Sequence, residues 1–223
     1  MAITAAACTP ATTPSAAPES EDQTLRYVAL GDSYTIGTGV SKAERWPDQL
    51  VARLAGNKPA LELVANLGVN AYTSQDLIRD ELPRLAELDP QFVTVLIGVN
   101  DVVRGVPEAN YAANVATILV ELLARLPADR ILCVATPDYT VTPQGAAFGD
   151  PARQSELIVR ANEVIGAACE EREIRFVPEI FQISRAAGSD ATLVAGDGLH
   201  PSGAQYALWV DAIAPVVEDA LPR

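Results

Sequence analysis

The stretch "LRYVALGDSYTIGTG", Leu25–Gly39, decides the fold. Its first seven residues form a short, nearly all-apolar run, as expected of a strand buried on both faces. Gly31 closes the run, and Asp32 and Ser33 stand where a turn or helix should begin. A buried strand that passes straight into a helix is the start of a βα unit. If the unit repeats, the chain must build a parallel sheet covered by helices on both faces.

The unit does repeat. "RWPDQLVARLAG" reads as a helix with Pro47 in its first turn and Gly56 at its end, and "ALELVANLG" as a second strand. "TSQDLIRDELPRLAEL" has Thr and Ser as candidate N-caps and reads as a helix broken or kinked near Pro83. "QFVTVLIG" is a third, almost wholly apolar strand. "ANYAANVATILVELLARL" is an amphipathic helix with Tyr111, Val115, Ile118, Leu119, Leu122, Leu123 and Leu126 on one face. "RILCVATP" gives a fourth strand and "DPARQSELIVRANEVIGAACEERE" a helix. "IRFVPEI" is a short fifth strand, and "PSGAQYALWVDAIAPVVEDAL" a last helix interrupted at Pro215. Right-handed crossovers then imply an α/β, doubly wound, flavodoxin-like three-layer sandwich with a five-stranded parallel sheet of order 2-1-3-4-5. No internal repeat and no second domain is evident, so residues 24–223 are expected to form one domain.

Apolar residues make up 49% of the 223, enough for a sizeable core, and the formal net charge is −13. Such a surface repels phosphate backbones and anionic membranes, so nucleic acid is not an expected partner. The three cysteines, Cys8, Cys133 and Cys169, include no C-x-x-C pair, and there is a single histidine. Neither a disulfide framework nor a zinc site is indicated, and no metal or other cofactor is expected. Cys133 and Cys169 read as small core residues.

Residues 1–23 carry no Lys or Arg and no run long enough to span a membrane. Their Ala, Thr, Pro, Ser and acidic composition reads as a disordered tail. "AAAC" followed by this tether resembles the cleavage site of a bacterial lipoprotein, with Cys8 as the lipidated residue, although the usual Leu and the preceding charged and apolar segments are missing. On this basis a secreted or cell-envelope setting is slightly favoured over a cytoplasmic one.

Ligands of open parallel sheets bind beyond the carboxyl ends of the strands. The loops there are "GDSYTIGTG", "NLGVNAYTS", "GVNDV" and "TPDYTVTPQG", joined by "GDGLHPSG" before the last helix. Taken alone, Ser33 reads as an N-cap and His200 as a hydrogen-bonded loop histidine. Together they suggest a nucleophile and a base, with Asp197 three residues from His200 as an orienting acceptor.

These loops carry a resemblance. In order along the chain, "GDSYTIGTG", "NLGVNAYTS", "GVND" and "DGLH" are similar to the four blocks of the SGNH hydrolases, also called GDSL-type esterases. The resemblance spans roughly nine-tenths of the chain. It implies Ser33 as nucleophile, His200 as general base and then acid, and Asp197 as its orienter. It also implies an oxyanion hole made by the backbone N–H groups of Ser33 and Gly68 and the side-chain amide of Asn100. Asp32, Tyr34, Asn70 and Tyr139 are the residues expected around the substrate pocket. Asp32 and Asp101 read as hydrogen-bonding loop backbone rather than acting chemically. The resemblance departs at "VNAYT", where relatives often carry Gly or Ser near Asn70 and Ala71, so the acyl or alcohol pocket there should be shaped differently. The long loop "TPDYTVTPQGAAFGDP" reads either as a surface excursion or as a pocket wall or lid. Trp46, Trp209 and Tyr206 read as core.

The resemblance therefore implies a serine hydrolase of carboxylic esters with small or medium acyl groups, acting on a small-molecule ester. An acyltransferase or carbohydrate O-deacetylase with the same triad is an alternative. A non-catalytic binding module is a third reading, and it leaves the coincidence of Ser33, Gly68, Asn100, Asp197 and His200 unexplained.

Overall fold

A computed structural model describes residues 24–221. The expected tail over 1–23, and Cys8 within it, lie outside the described residues. The chain runs β1 (Leu25–Gly31), α1 (Ser33–Ile36), α2 (Trp46–Arg53), β2 (Leu61–Asn66), α3 (Ser74–Asp76), α4 (Leu85–Leu88), β3 (Phe92–Leu96) and α5 (Val99–Val103). It continues with α6 (Glu108–Leu123), β4 (Ile131–Val134), α7 (Pro151–Glu170), β5 (Arg175–Val177), α8 (Glu179–Ser184) and α9 (Gly203–Ala220). The five strands are parallel and ordered β2-β1-β3-β4-β5, as the alternation of elements predicts.

The period of a strand divides the core in two. Tyr27 and Ala29 of β1 face one side and pack with Trp46 and Leu50 of α2 and with Trp209, Ile213 and Val217 of α9. Val28 and Leu30 face the other and pack with Val115, Ile118 and Leu122 of α6 and Ile165 of α7. One buried polar pair crosses the sheet, Tyr27 Oη with Thr94 Oγ1 at 2.7 Å. Cys133 and Cys169 are fully buried free thiols. No helix among the described residues is long and apolar enough to cross a membrane.

Two elements differ from the sequence reading. The last helix is not interrupted at Pro215 but runs on to Ala220. An interior proline costs about 3 kcal/mol, while each fully buried large apolar side chain contributes about 1.5–3 kcal/mol. Trp209, Ile213 and Val217 are all fully buried on this helix, so packing outweighs the lost hydrogen bond. The segment after Thr73 is not one kinked helix. A capping box starts it, with Asp76 Oδ2 accepting from the Thr73 N–H at 3.0 Å. A π-helical turn follows at Leu77–Glu81, then a 3-10 turn containing Pro83 at Leu82–Arg84, then α4. Pro83 has no N–H to give to an i−4 carbonyl, and the wide turn before it brings Leu77, Glu81 and Leu82 all to the buried side.

Candidate active site

In the sheet order, the connections from β1 and from β3 leave in opposite directions, which opens a crevice between their carboxyl ends. A cavity of about 230 Å³ lies there, lined by Ser33, Asn70, Ala71, Asn100, Tyr139 and His200 among others. Ser33 is the first residue of α1. Asp32 caps that helix, its Oδ1 accepting from the Tyr34 N–H at 3.0 Å. Gly31, with φ +150°, allows the tight exit from β1, because a Cβ there would collide with the Leu96 carbonyl and the Thr35 hydroxyl.

The histidine loop is held by its own aspartate. Asp197 Oδ1 accepts from the backbone N–H of Leu199 at 2.9 Å and of His200 at 3.0 Å. Asp197 Oδ2 lies 2.6 Å from His200 Nδ1. Partial burial pushes the Asp197 carboxyl up, but the backbone donors of His200 and Leu199, followed by the His200 ring, outweigh this and hold it below its ordinary value. An ionised Asp197 fixes the proton on Nδ1, which leaves Nε2 as the acceptor. The Tyr34 ring stands 5.2 Å from the imidazole and stacks on Trp209 at 6.4 Å, and the Tyr34 carbonyl accepts from Tyr206 Oη at 3.0 Å. Tyr34, expected at the pocket, thus lines the cavity beside the imidazole and is backed by Trp209 and Tyr206, which read as core.

On the far side of the cavity, Asn100 lies in α5. Its Nδ2 donates to the Tyr72 carbonyl at 2.9 Å and makes a longer, 3.4 Å contact with Asp32 Oδ2. The next residue, Asp101, is buried and anchors the loop after β2 by accepting from the Ser74 N–H at 2.9 Å and Oγ at 2.6 Å. Asn70 is exposed at the rim and accepts from Thr38 Oγ1. The loop after β4 contributes Tyr139 and Phe148 to the cavity wall. Their rings meet edge to face at 5.6 Å, and Tyr139 Oη donates to Gln154 at 2.8 Å. Of the two readings of that loop, the pocket wall matches this placement.

Two expected site residues are placed otherwise. Asp32 is wholly buried beneath the cavity rather than on its wall. Burial is the main cause that pushes its carboxyl up to about 7. Gly68 is not part of the cavity wall either, and its N–H donates to Asn66 Oδ1 at 3.1 Å. Its lack of a side chain serves packing, since a Cβ would stand 2.7 Å from the Ile36 nitrogen and 2.8 Å from the Asp32 carbonyl. The residue of this loop that does line the cavity beside Ser33 and Asn100 is Ala71, which adopts φ +65°. Its N–H meets no acceptor among the described residues. A motif search for glycine misses Ala71. The signal the resemblance offers is the departure at "VNAYT" from a family that often carries Gly or Ser near Asn70 and Ala71, Gly being the residue suited to a left-handed conformation. Phe148, Val99, Val103 and Leu199 also line the cavity without any sequence signal beyond being apolar.

Residues 29–208 match the model of the GDSL-like Lipase/Acylhydrolase family. The chain is 24% identical over 199 residues to Esterase TesA of Pseudomonas aeruginosa, covering 89% of this chain and 90% of that one. Among solved structures, that of TesA superposes with a TM-score of 0.71 at 23% identity, covering 89% of this chain and all of the other. An acetylxylan esterase from Geobacillus stearothermophilus gives 0.69 at 20% identity, covering 88% and 95%.

Proposed function

Because this chain belongs to the GDSL-like Lipase/Acylhydrolase family and is a GDSL-type carboxylic-ester hydrolase, we propose that it cleaves esters of small or medium acyl groups through an acyl-enzyme on Ser33. The observation that carries this reading is the 2.6 Å contact between Asp197 Oδ2 and His200 Nδ1 in a loop that lines the same cavity as Ser33.

In the proposed reaction His200 Nε2 takes the Ser33 proton as Oγ attacks the ester carbonyl, and Asp197 stabilises the imidazolium that forms. The tetrahedral oxyanion is received by the backbone N–H groups of Ser33 and Ala71 and by Asn100 Nδ2. Ala71 takes the place first given to Gly68, whose N–H is occupied by Asn66. The Tyr72 carbonyl orients the Asn100 amide, and the long contact to Asp32 is the one given up to the oxyanion. His200 then protonates the leaving alcohol, and water attacks the acyl-enzyme by the same route in reverse. The apolar wall of Val99, Val103, Tyr139, Phe148 and Leu199 receives the acyl chain, and a cavity of about 230 Å³ suits small to medium chains.

The test is hydrolysis of p-nitrophenyl acetate, butyrate and octanoate by wild type and Ser33→Ala, alongside intact-mass labelling by a fluorophosphonate. One label on wild type, none on Ser33→Ala, and loss of turnover in the variant are expected. A wild type that neither labels nor turns over any of the three esters would overturn the reading.

A further inference from the structure

The buried side of the nucleophile turn holds a carboxyl group that the proposed reaction does not use. Glu81 closes the π-helical turn Leu77–Glu81 and is 2% exposed. Its Oε2 accepts from the Gly31 N–H at 2.9 Å, while its Oε1 is buried and has no hydrogen-bonding partner among the described residues. The Gly31 peptide is a junction. Its N–H goes to Glu81, its carbonyl accepts from the Val69 N–H of the loop after β2 at 3.2 Å, and two residues further on stands Ser33. Glu81 therefore fixes the point where β1 ends and the nucleophile turn begins.

A carboxylate in that position would be expensive. It would be desolvated, would leave one oxygen unsatisfied, and would have no cationic partner among the described residues, where the ionisable groups that act on it are the acids Asp32 and Asp80. Asp101 of α5 acts in turn on Asp32, and Tyr111 of α6 faces Asp101 and Asp32. Burial, followed by Asp32 and Asp80, pushes the Glu81 carboxyl up to about 9, even against the lowering effect of the Gly31 N–H.

We propose that Glu81, held as a neutral carboxylic acid, is a positioning residue for the esterase reaction that sets the place of Ser33 through Gly31. The proposal rests on the esterase reading of the same site. As pH rises towards 9, Glu81 ionises beside Asp32, the junction loosens, and the nucleophile turn loses its alignment. A displacement of about 1 Å at a reacting group costs up to about 10²-fold in rate. Activity therefore has an alkaline decline set by Glu81.

The experiment uses the full chain and two variants, reading p-nitrophenyl butyrate kinetics and the rate of fluorophosphonate labelling from pH 6 to 10. Glu81→Gln keeps the acceptor for Gly31 and mimics the neutral acid. It is expected to hold kcat near the wild-type value at pH 7 and to lose the alkaline decline. Glu81→Leu removes the acceptor and is expected to lower kcat and the labelling rate about 10- to 100-fold with KM little changed. A folded Glu81→Leu that labels at the wild-type rate across the range overturns the proposal, as does a Glu81→Gln that keeps the wild-type alkaline decline. If wild type neither labels nor hydrolyses any ester, the esterase reading has failed. Glu81 is then tested by melting temperature alone. An acid whose carboxyl is raised from 4.5 to about 9 by folding lends stability below 4.5 that is lost as pH rises towards 9. Wild type should lose melting temperature over that window and Glu81→Gln should lose less. An equal fall in both overturns the neutral-acid assignment.

Discussion

The histidine loop and the loop after β2 face each other across one cavity, and they are built on opposite principles. The first is local. Asp197 satisfies the backbone of Leu199 and His200 with one oxygen and the imidazole with the other, all within four consecutive residues. The second is tertiary. Ala71 and Tyr72 are placed by Arg104, whose guanidinium donates to the Ala71 carbonyl at 2.7 Å, and by Asn100 and Asp101 of α5, which hold Tyr72 and Ser74. A local device survives or fails as a unit, while a tertiary one can lose a member and be partly compensated. Substitutions on the two sides should therefore differ in size.

The largest effects belong to the nucleophile and to the histidine side. Ser33→Ala and His200→Ala should each lower kcat for p-nitrophenyl butyrate by at least about 10⁴-fold. Wild-type rates in His200→Ala would remove the base from the mechanism. Asp197→Asn should come next, at about 10²- to 10⁴-fold. The amide oxygen can still receive the Leu199 and His200 N–H groups, but its nitrogen would meet Nδ1 and force the unproductive tautomer. Because protonating His200 removes the base, wild-type activity should fall on the acid side of its profile. Asp197, held below its ordinary value, stays ionised through that decline and does not contribute to it.

The opposite side should yield less per residue. Asn100→Ala removes one oxyanion donor and should cost about 10²–10³ in kcat with KM little changed. An effect as large as that of His200→Ala would mean that Asn100 holds the loop after β2 as well as the oxyanion, through its bond to the Tyr72 carbonyl. Further out, Phe148→Ala opens the wall where Phe148 meets Tyr139. It should raise KM for octanoate esters several-fold while leaving acetate nearly unchanged, since apolar contacts of this kind are worth about 1–3 kcal/mol. Equal effects on both esters would place the acyl chain elsewhere.

The same contrast explains what could be read from the sequence. The sheet order follows from buried runs such as "QFVTVLIG" alternating with amphipathic helices, because periodicity records burial directly. Asp197 and His200 are legible because their partnership is written in a three-residue spacing. The loop after β2 is not, because its conformation depends on α5. Gly68 attracts attention as a glycine, yet its role is to let the nucleophile turn pack close, while Ala71 adopts the left-handed conformation that glycine would favour. Asp32 reads as a backbone acceptor and accepts from the Tyr34 N–H, but its burial beneath the cavity depends on elements distant in sequence. The π-helical turn and Glu81 left no periodic signal, since a single wide turn shifts the helical register only once.

The smallest expected effect concerns a group buried beneath the cavity. Asp32 caps α1 and touches Asn100, and its burial pushes its carboxyl up from 3.8 to about 7. An acid raised by folding contributes stability below its unfolded value that is lost as pH climbs through the folded one, here between about 4 and 7. Asp32→Asn can still cap α1 but does not titrate. Its melting temperature should therefore fall less than that of wild type between pH 4.5 and 7.5. For a domain of this size about 1 kcal/mol corresponds to about 2–4 °C, which is resolvable by calorimetry. Parallel curves would mean that Asp32 is already ionised at pH 4.5, held so by the Tyr34 N–H and the Asn100 amide. The contact to Asn100 would then be a true charge-assisted bond, and Asn100 could not give it up to an oxyanion without cost.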